Sequence, residues 1–265
     1  MHGARARHST SVRSIKRRWI SAASDSTPCV RPFSPRPGRA LARQNTTRLT
    51  GSNTAPSPYE LVLGDELDAL HPRLRAYFDG IPDGSTGVGS GVFERVGTPR
   101  LWLWPVLWLL EREGVLFPVW SARVPFTVRN CPVIDAAGNT AVLASREFRF
   151  SARRPFGRDR EMTDAITAER GRLVDHLGTQ RRYAARLRAE VVDGELHLVS
   201  TRVSVRFGRF AIPIPTSIAP VVRLVERFDA KSGLQHVSVV VESPRLGRLY
   251  EYAGSFSYSV VPGAW

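Results

Sequence analysis

The chain has 265 residues, with 38 Lys and Arg against 24 Asp and Glu, and only two cysteines, Cys29 and Cys131. Two cysteines cannot build an internal disulfide framework, so a reducing, cytoplasmic compartment is the expectation. Eleven of the basic residues and one acid, Asp25, fall within residues 1–56, leaving 27 bases against 23 acids for the rest, a charge too mild to imply a nucleic-acid partner.

Residues 1–56 are rich in Arg, Ser and Pro and lack apolar periodicity, so they read as a disordered basic leader or as an extension from a start codon placed too far upstream. Their composition overlaps with that of an organelle transit peptide, but the apolar core of ~7–15 residues that a secretory signal needs is missing. Residues 57–265 read as one antiparallel-β-rich domain.

In chain order, Ser57-Pro58 supplies an N-cap and a first-turn proline. Leu61, Leu63, Leu67, Leu70, Leu74 and Phe78 follow at loosely helical spacing, which Gly64 and Pro72 break into two or three short helices. Gly80-Ile81-Pro82-Asp83-Gly84 ends the segment as a turn. The run Gly87-Val88-Gly89-Ser90-Gly91 has the look of a dinucleotide-binding loop, but that fingerprint must follow a strand and open a helix. Here it leads into Val92-Phe93-Glu94-Arg95-Val96, a strand, and is read as that strand's Gly-rich entry.

Residues 99–113 predict a helix between Thr98-Pro99 and Gly114, crowded with Trp102, Trp104 and Trp108. It is apolar nearly all round and is expected to be largely buried, covering a sheet. A lid over a ligand cavity and a membrane-surface contact are the functional alternatives. The longest apolar run, Leu101 to Leu110, falls short of the ~18 residues of a membrane span, so no transmembrane segment is expected.

From Ser121 the apolar period becomes two. A turn at Asp135-Ala136-Ala137-Gly138-Asn139 leads to a strand ending Phe148-Arg149-Phe150. A further strand is expected over about 159–168 and a short helix over about 170–177. Tyr183, Ala185, Leu187, Ala189 and Val191 alternate with charged residues before Asp193-Gly194, a strong hairpin signal that feeds a strand from Glu195 to Phe207. Strands over about 221–229, 234–243 and 247–261 complete the chain. The fold class is therefore α+β, mainly antiparallel β: a curved sheet or barrel of about nine strands, with N-terminal helices and one Trp-rich helix.

Phe207-Gly208-Arg209-Phe210-Ala211-Ile212-Pro213-Ile214-Pro215, then Ile218-Ala219-Pro220, and later Ser243-Pro244-Arg245-Leu246-Gly247-Arg248-Leu249-Tyr250-Glu251-Tyr252-Ala253-Gly254, resemble the bacterial domain of unknown function 4166 family. Tyr59-Glu60-Leu61-Val62-Leu63-Gly64 and Glu147-Phe148-Arg149-Phe150-Ser151 agree with it. The resemblance covers most of residues 57–265. It implies no catalytic residues, but the family's fusions behind saccharopine-dehydrogenase-like, nicotinamide-binding domains imply a possible reductase partner.

The residue chemistry gives little support to catalysis. His71, His176, His197 and His236 lie on separate predicted elements, and none sits at a metal-ligand spacing with another. Asp175-His176 falls at the end of the predicted short helix, Ser90 lacks a nucleophile elbow, and Cys131 has no histidine tied to it. No metal or cofactor is expected. Tyr250, Tyr252, Phe256 and Tyr258 share one face of the last strand. On the strand from Glu195, Ser200, Arg202, Ser204 and Arg206 share the face opposite the valines.

Turned inward, these residues would suit an apolar or amphipathic ligand carrying an acid group. The first functional reading is thus a non-catalytic binding module, with Trp104, Trp108, Arg202, Arg206, Tyr250, Tyr252, Phe256 and Tyr258 around a cavity of ~300 Å³ or more. The second is an interaction or regulatory domain that docks onto a nicotinamide-dependent reductase. An enzyme built around the isolated histidines is a third.

Overall fold

A sheet whose strands all carry an apolar residue at every second position can bury that face without a second layer by closing on itself. This chain does so. A computed structural model describes residues 54–134, 138–150, 158–207 and 210–263; nearly all of the expected leader, residues 1–53, lies outside the described residues.

Eleven strands follow a helical opening: β1 (Ser85–Gly97), β2 (Trp120–Ile134), β3 (Thr140–Phe148), β4 (Arg160–Glu169), β5 (Arg172–Leu177), β6 (Tyr183–Val192), β7 (Glu195–Phe207), β8 (Phe210–Pro213), β9 (Val221–Asp229), β10 (Leu234–Ser243) and β11 (Gly247–Pro262). β1 to β7 pair in an antiparallel meander, β7 pairs also with β9, β9 to β11 continue the meander, and β1 closes onto β11; among the described residues only β8 lies outside the ring, on the edge of β7. The result is a closed ten-stranded barrel with one outer strand.

The expected helix over 170–177 is instead β5. Arg170 and Gly171 both have positive φ, 52° and 69°, the pair of left-handed conformations that a two-residue hairpin turn requires. Leu173 and Asp175 then face inward while Val174 and His176 face out, in register with β4 and β6. Asp193-Gly194 builds the same turn, with φ of 52° and 79°, between β6 and β7. With β5 and the four-residue β8, the expected nine strands become eleven.

The glycines of β1 lie within the strand, and they serve packing. Gly87, Gly89 and Gly91 face the interior, where Phe256 and Tyr258 of β11 lie across them. A Cβ on Gly87 would stand 1.6 Å from the Tyr258 hydroxyl, and one on Gly91 would stand 2.0 Å from the Ser255 carbonyl.

Both barrel ends are covered. At the end where β6 turns into β7, helices α1 (Pro58–Leu63) and α2 (Pro72–Phe78), joined by a 3₁₀ turn, insert Leu63, Leu67, Leu70, Leu74 and Phe78 against Leu173, Leu187, Leu196 and Leu198. Ser57 and Glu60 form a reciprocal capping box on α1, and the Ser57 hydroxyl also donates to the Phe78 carbonyl at 2.5 Å, tying the helical segment together. At the opposite end the β1–β2 connection carries a 3₁₀ turn (Leu101–Leu103) and α3 (Trp104–Arg112), with Leu107 and Phe117 closing over Phe93, Phe148, Met162 and Tyr250.

The Trp-rich helix thus closes one end, but it is not largely buried. Leu107 alone is fully covered, while Leu101, Trp102, Val106, Trp108 and Leu109 are exposed. A helix resting on the mouth of a barrel contacts it along one stripe only, so an apolar residue on the far side remains in solvent.

Candidate functional site

Ladder register divides the interior into two zones. Toward α3 it is aromatic: Phe93 stacks on Phe126 with ring centroids 3.8 Å apart, Phe148 lies 5.3 Å from Phe93, and Tyr252 meets Phe93 edge-on at 5.2 Å. Toward α1 and α2 it is polar, with Asn130 on β2, Arg146 on β3, Asp164 on β4, Asp175 on β5, Glu226 on β9 and Gln235 on β10 all turned inward. Arg146 donates to Asp164 in a short ion pair, and Gln235 donates to Glu226. One Asp175 oxygen is fully buried without a protein hydrogen-bond partner.

Among the described residues, three carboxyl groups therefore share this polar zone with the Arg146 guanidinium, while the buried Arg160 sits at the α3 end paired with Glu111. Burial pushes Asp175 well above the usual carboxylate range, and the neighbouring Asp164 charge raises it further against the pull of Arg146. Burial also pushes Glu226 up to about 7, with the Gln235 hydrogen bond and the Arg146 charge opposing it. Burial disfavours the charge on Arg146, but Asp164 and its neighbours outweigh that and hold the guanidinium firmly protonated. Tyr77, from α2, is raised to about 12 by burial and by the Glu226 charge. A zone this rich in acids has no spare cation to offer an anionic ligand.

Between the two zones the described interior is closely packed. Between the aromatic and polar zones, Tyr77, Phe93, Arg146, Leu224, Tyr252 and Phe256 enclose about 20 Å³, room for about one water. The cavity of ~300 Å³ expected from the sequence is not present there, because the helical plug and large aromatics occupy the volume.

The residues singled out from the sequence fall into separate groups. Tyr250, Tyr252, Phe256 and Tyr258 face inward and pack in the core, Tyr258 meeting Tyr77 at 4.6 Å. Trp104 packs on the same core from α3, its indole N–H 3.4 Å from the Thr98 carbonyl. Trp108 lies outside on that helix, with the Arg112 guanidinium 4.5 Å above its ring. Arg202 and Arg206 point outward and are exposed.

The face expected to join Ser200 to Arg202, Ser204 and Arg206 does not exist. The ladder shifts register so that Arg186 pairs with Arg202 but Leu187 with Ser200, leaving Thr201 as an extra residue. Ser200 faces in with Leu196 and Leu198, whereas beyond the bulge Val203 faces in and the arginines face out.

The other edge of β7 is divided as well. Along it, residues 196–199 pair with β9 and residues 204–207 pair with β8. Between them the wall parts, and a cleft of about 350 Å³ opens, lined by Ser200, Arg202, Val203, Ile214, Pro215 and Val221 among others. The cleft is held at its edges by the Ile214 N–H donating to the Val203 carbonyl at 2.9 Å and the Val222 N–H donating to the Ser200 hydroxyl at 2.8 Å. Prolines 213, 215 and 220 keep the 213–220 excursion from continuing the ladder. Among the described lining residues Arg202 is the one charged group.

Sequence reasoning missed the interior polar set, although its signal was present. Arg146 stands two residues from both Ala144 and Phe148, and Glu226 two from both Leu224 and Phe228, so two-residue parity assigns each charged group to the apolar face.

The family model described as a domain of unknown function, DUF4166, matches residues 70–256, and the chain belongs to that family. The chain is similar to the uncharacterized protein YndH of Bacillus subtilis (strain 168), with 25% identity over 196 residues covering 71% of this chain and 90% of YndH. Among the described residues no helix is long and apolar enough to cross a membrane.

Proposed function

We propose that this chain is a non-catalytic binding module for an amphipathic carboxylate, held in the external cleft between β7, β8 and β9. The reading rests on one observation: a cleft of about 350 Å³ walled by Val203, Ile214, Pro215 and Val221, with Arg202 as the one charged residue among its described lining. That volume falls in the range of small-molecule sites, apolar with a few placed polar groups. A guanidinium at its rim offers two parallel donors to a carboxylate. Ser200, Thr201 and Thr216 add hydroxyls but no base, so the described lining supplies neither a proton acceptor nor an activated nucleophile.

The test is calorimetric titration of the full chain with dodecanoate and with dodecanol. Dodecanoate binding is expected to exceed dodecanol binding and to weaken about tenfold or more in Arg202→Ala, with partial recovery in Arg202→Lys. Equal binding by wild type and Arg202→Ala would remove the cleft from the account. Copurification of a nicotinamide-dependent reductase in stoichiometric amount, with no binding of either ligand, would replace this reading with the interaction-domain one.

A further inference from the structure

Five large aromatic or tryptophan side chains are exposed among the described residues: Trp102, Trp108, Trp120, Phe207 and Phe210. Strand direction places all five at one end of the barrel. Trp102 and Trp108 lie in the β1–β2 connection, Trp120 opens β2, and Phe207 and Phe210 flank the β7–β8 connection. Leu246, also exposed, lies in the β10–β11 turn at the same end, where Gly247 approaches the Arg100 guanidinium. Among the described residues the opposite end exposes aliphatic side chains such as Leu61 and Val192 but no aromatic one.

Charge follows the same axis. Among described residues, the connections at the aromatic end hold seven arginines against three acids (Glu111, Glu113 and Asp159). Two of those acids are already engaged, Glu111 by Arg158 and Arg160 at 2.7 and 2.9 Å and Glu113 by Arg182 at 3.1 Å. The helical segment and turns at the other end hold four bases against seven acids. The molecule is thus a dipole with its aromatic end positive. Two of the exposed tryptophans carry a guanidinium over the ring, Arg112 on Trp108 and Arg95 on Trp120 at 5.3 Å.

We propose that this end docks on the surface of an anionic phospholipid bilayer. The tryptophans and the Phe207/Phe210 pair enter the headgroup boundary while the arginines meet lipid phosphates. Amphipathic aromatic rings partition to that boundary, and each cation near an anionic surface adds attraction. A protein partner fits less well, since the apolar groups stand on separate connections instead of forming one packed pocket with satisfied polar neighbours. The inference is independent of the Arg202 cleft, and its test uses no soluble ligand.

The full chain is to be sedimented with vesicles of phosphatidylcholine alone and with vesicles containing about one third phosphatidylglycerol, which supply the anionic surface. Tryptophan emission is followed with brominated lipid. Binding to the anionic vesicles, with a blue shift and quenching, is expected. The W102A/W108A and F207S/F210S pairs should each weaken partitioning about tenfold or more while keeping the wild-type melting temperature. Because both pairs retain residues 1–56, unchanged binding in either would show that attraction by the leader suffices and would overturn the proposal. Absence of wild-type binding to both vesicles would do the same, as would a lipid-free dimer that W102A/W108A dissolves.

Discussion

Glu226 gives the sharpest energetic test of the structure. Its carboxyl is 5% exposed and is raised from 4.5 to about 7 by burial. Each tenfold change in proton affinity between folded and unfolded chains is worth ~1.4 kcal/mol, so a displacement of this size corresponds to about 3 kcal/mol. The sign follows from proton count: between 4.5 and about 7 the folded chain holds a proton that the unfolded chain releases. Stability is therefore greatest below 4.5 as far as this group is concerned, and it falls as pH rises through about 7. Glu226→Gln keeps a neutral amide next to Gln235 and removes the titration. Urea unfolding of wild type and Glu226→Gln across that pH range should show the variant gaining about 2–3 kcal/mol relative to wild type between the acid and alkaline limits. Comparing the two chains cancels the parallel contribution of Asp175. A constant difference at every pH would refute the assignment of Glu226 as a buried, proton-holding acid.

Three other outcomes follow from the same packing. Arg146→Met should cost about 3–5 kcal/mol at neutral pH, because it strands Asp164 beside Asp175 in the interior, and a loss under about 1 kcal/mol by urea unfolding would mean that water reaches the pair. Gly91→Val should cost more than about 3 kcal/mol or prevent folding, because its side chain meets the Ser255 carbonyl and Phe256, while Ser90→Val on the exposed face of β1 should stay within about 0.5 kcal/mol; circular dichroism melting distinguishes them. Gly194→Ala, at φ of 79° in the β6–β7 turn, should lose about 1 kcal/mol from backbone strain without change in the unfolding slope.

The parts of the fold legible in the sequence are those governed by local rules. The Ser57-Pro58 start, the breaks at Gly64 and Pro72 and the Asp193-Gly194 hairpin each act within a few residues, and each stands where local chemistry puts it. β5 escaped because six residues are too few to separate a period of two from one of 3.6, and Arg170 does not advertise the left-handed turn it adopts. The extra Thr201 in β7 reverses which side chains face inward, and nothing in the run Ser200-Thr201-Arg202 marks it. A helix's apolar residues likewise say nothing about which of them its neighbours will cover, which is why Trp102 and Trp108 stand exposed.

Of the interior, parity was enough to collect Tyr250, Tyr252 and Phe256 on one face. The volume those rings leave is a property of the whole ring of strands and its helical plug, and no strand pattern encodes it. The cleft at Arg202 arises the same way, from where β8 and β9 part along β7, so sequence reasoning had the arginine without its surroundings.

The central claim is that the barrel is a filled scaffold and that binding occurs on its outside. An amide and methyl NMR titration of the full chain with dodecanoate tests this most directly. Shifts concentrated at Arg202, Val203, Ile214 and Val221, with Val237 and Val239 unmoved, are the predicted result. Saturable shifts at Val237 and Val239 inside the barrel, with the Arg202 cleft silent, would contradict it.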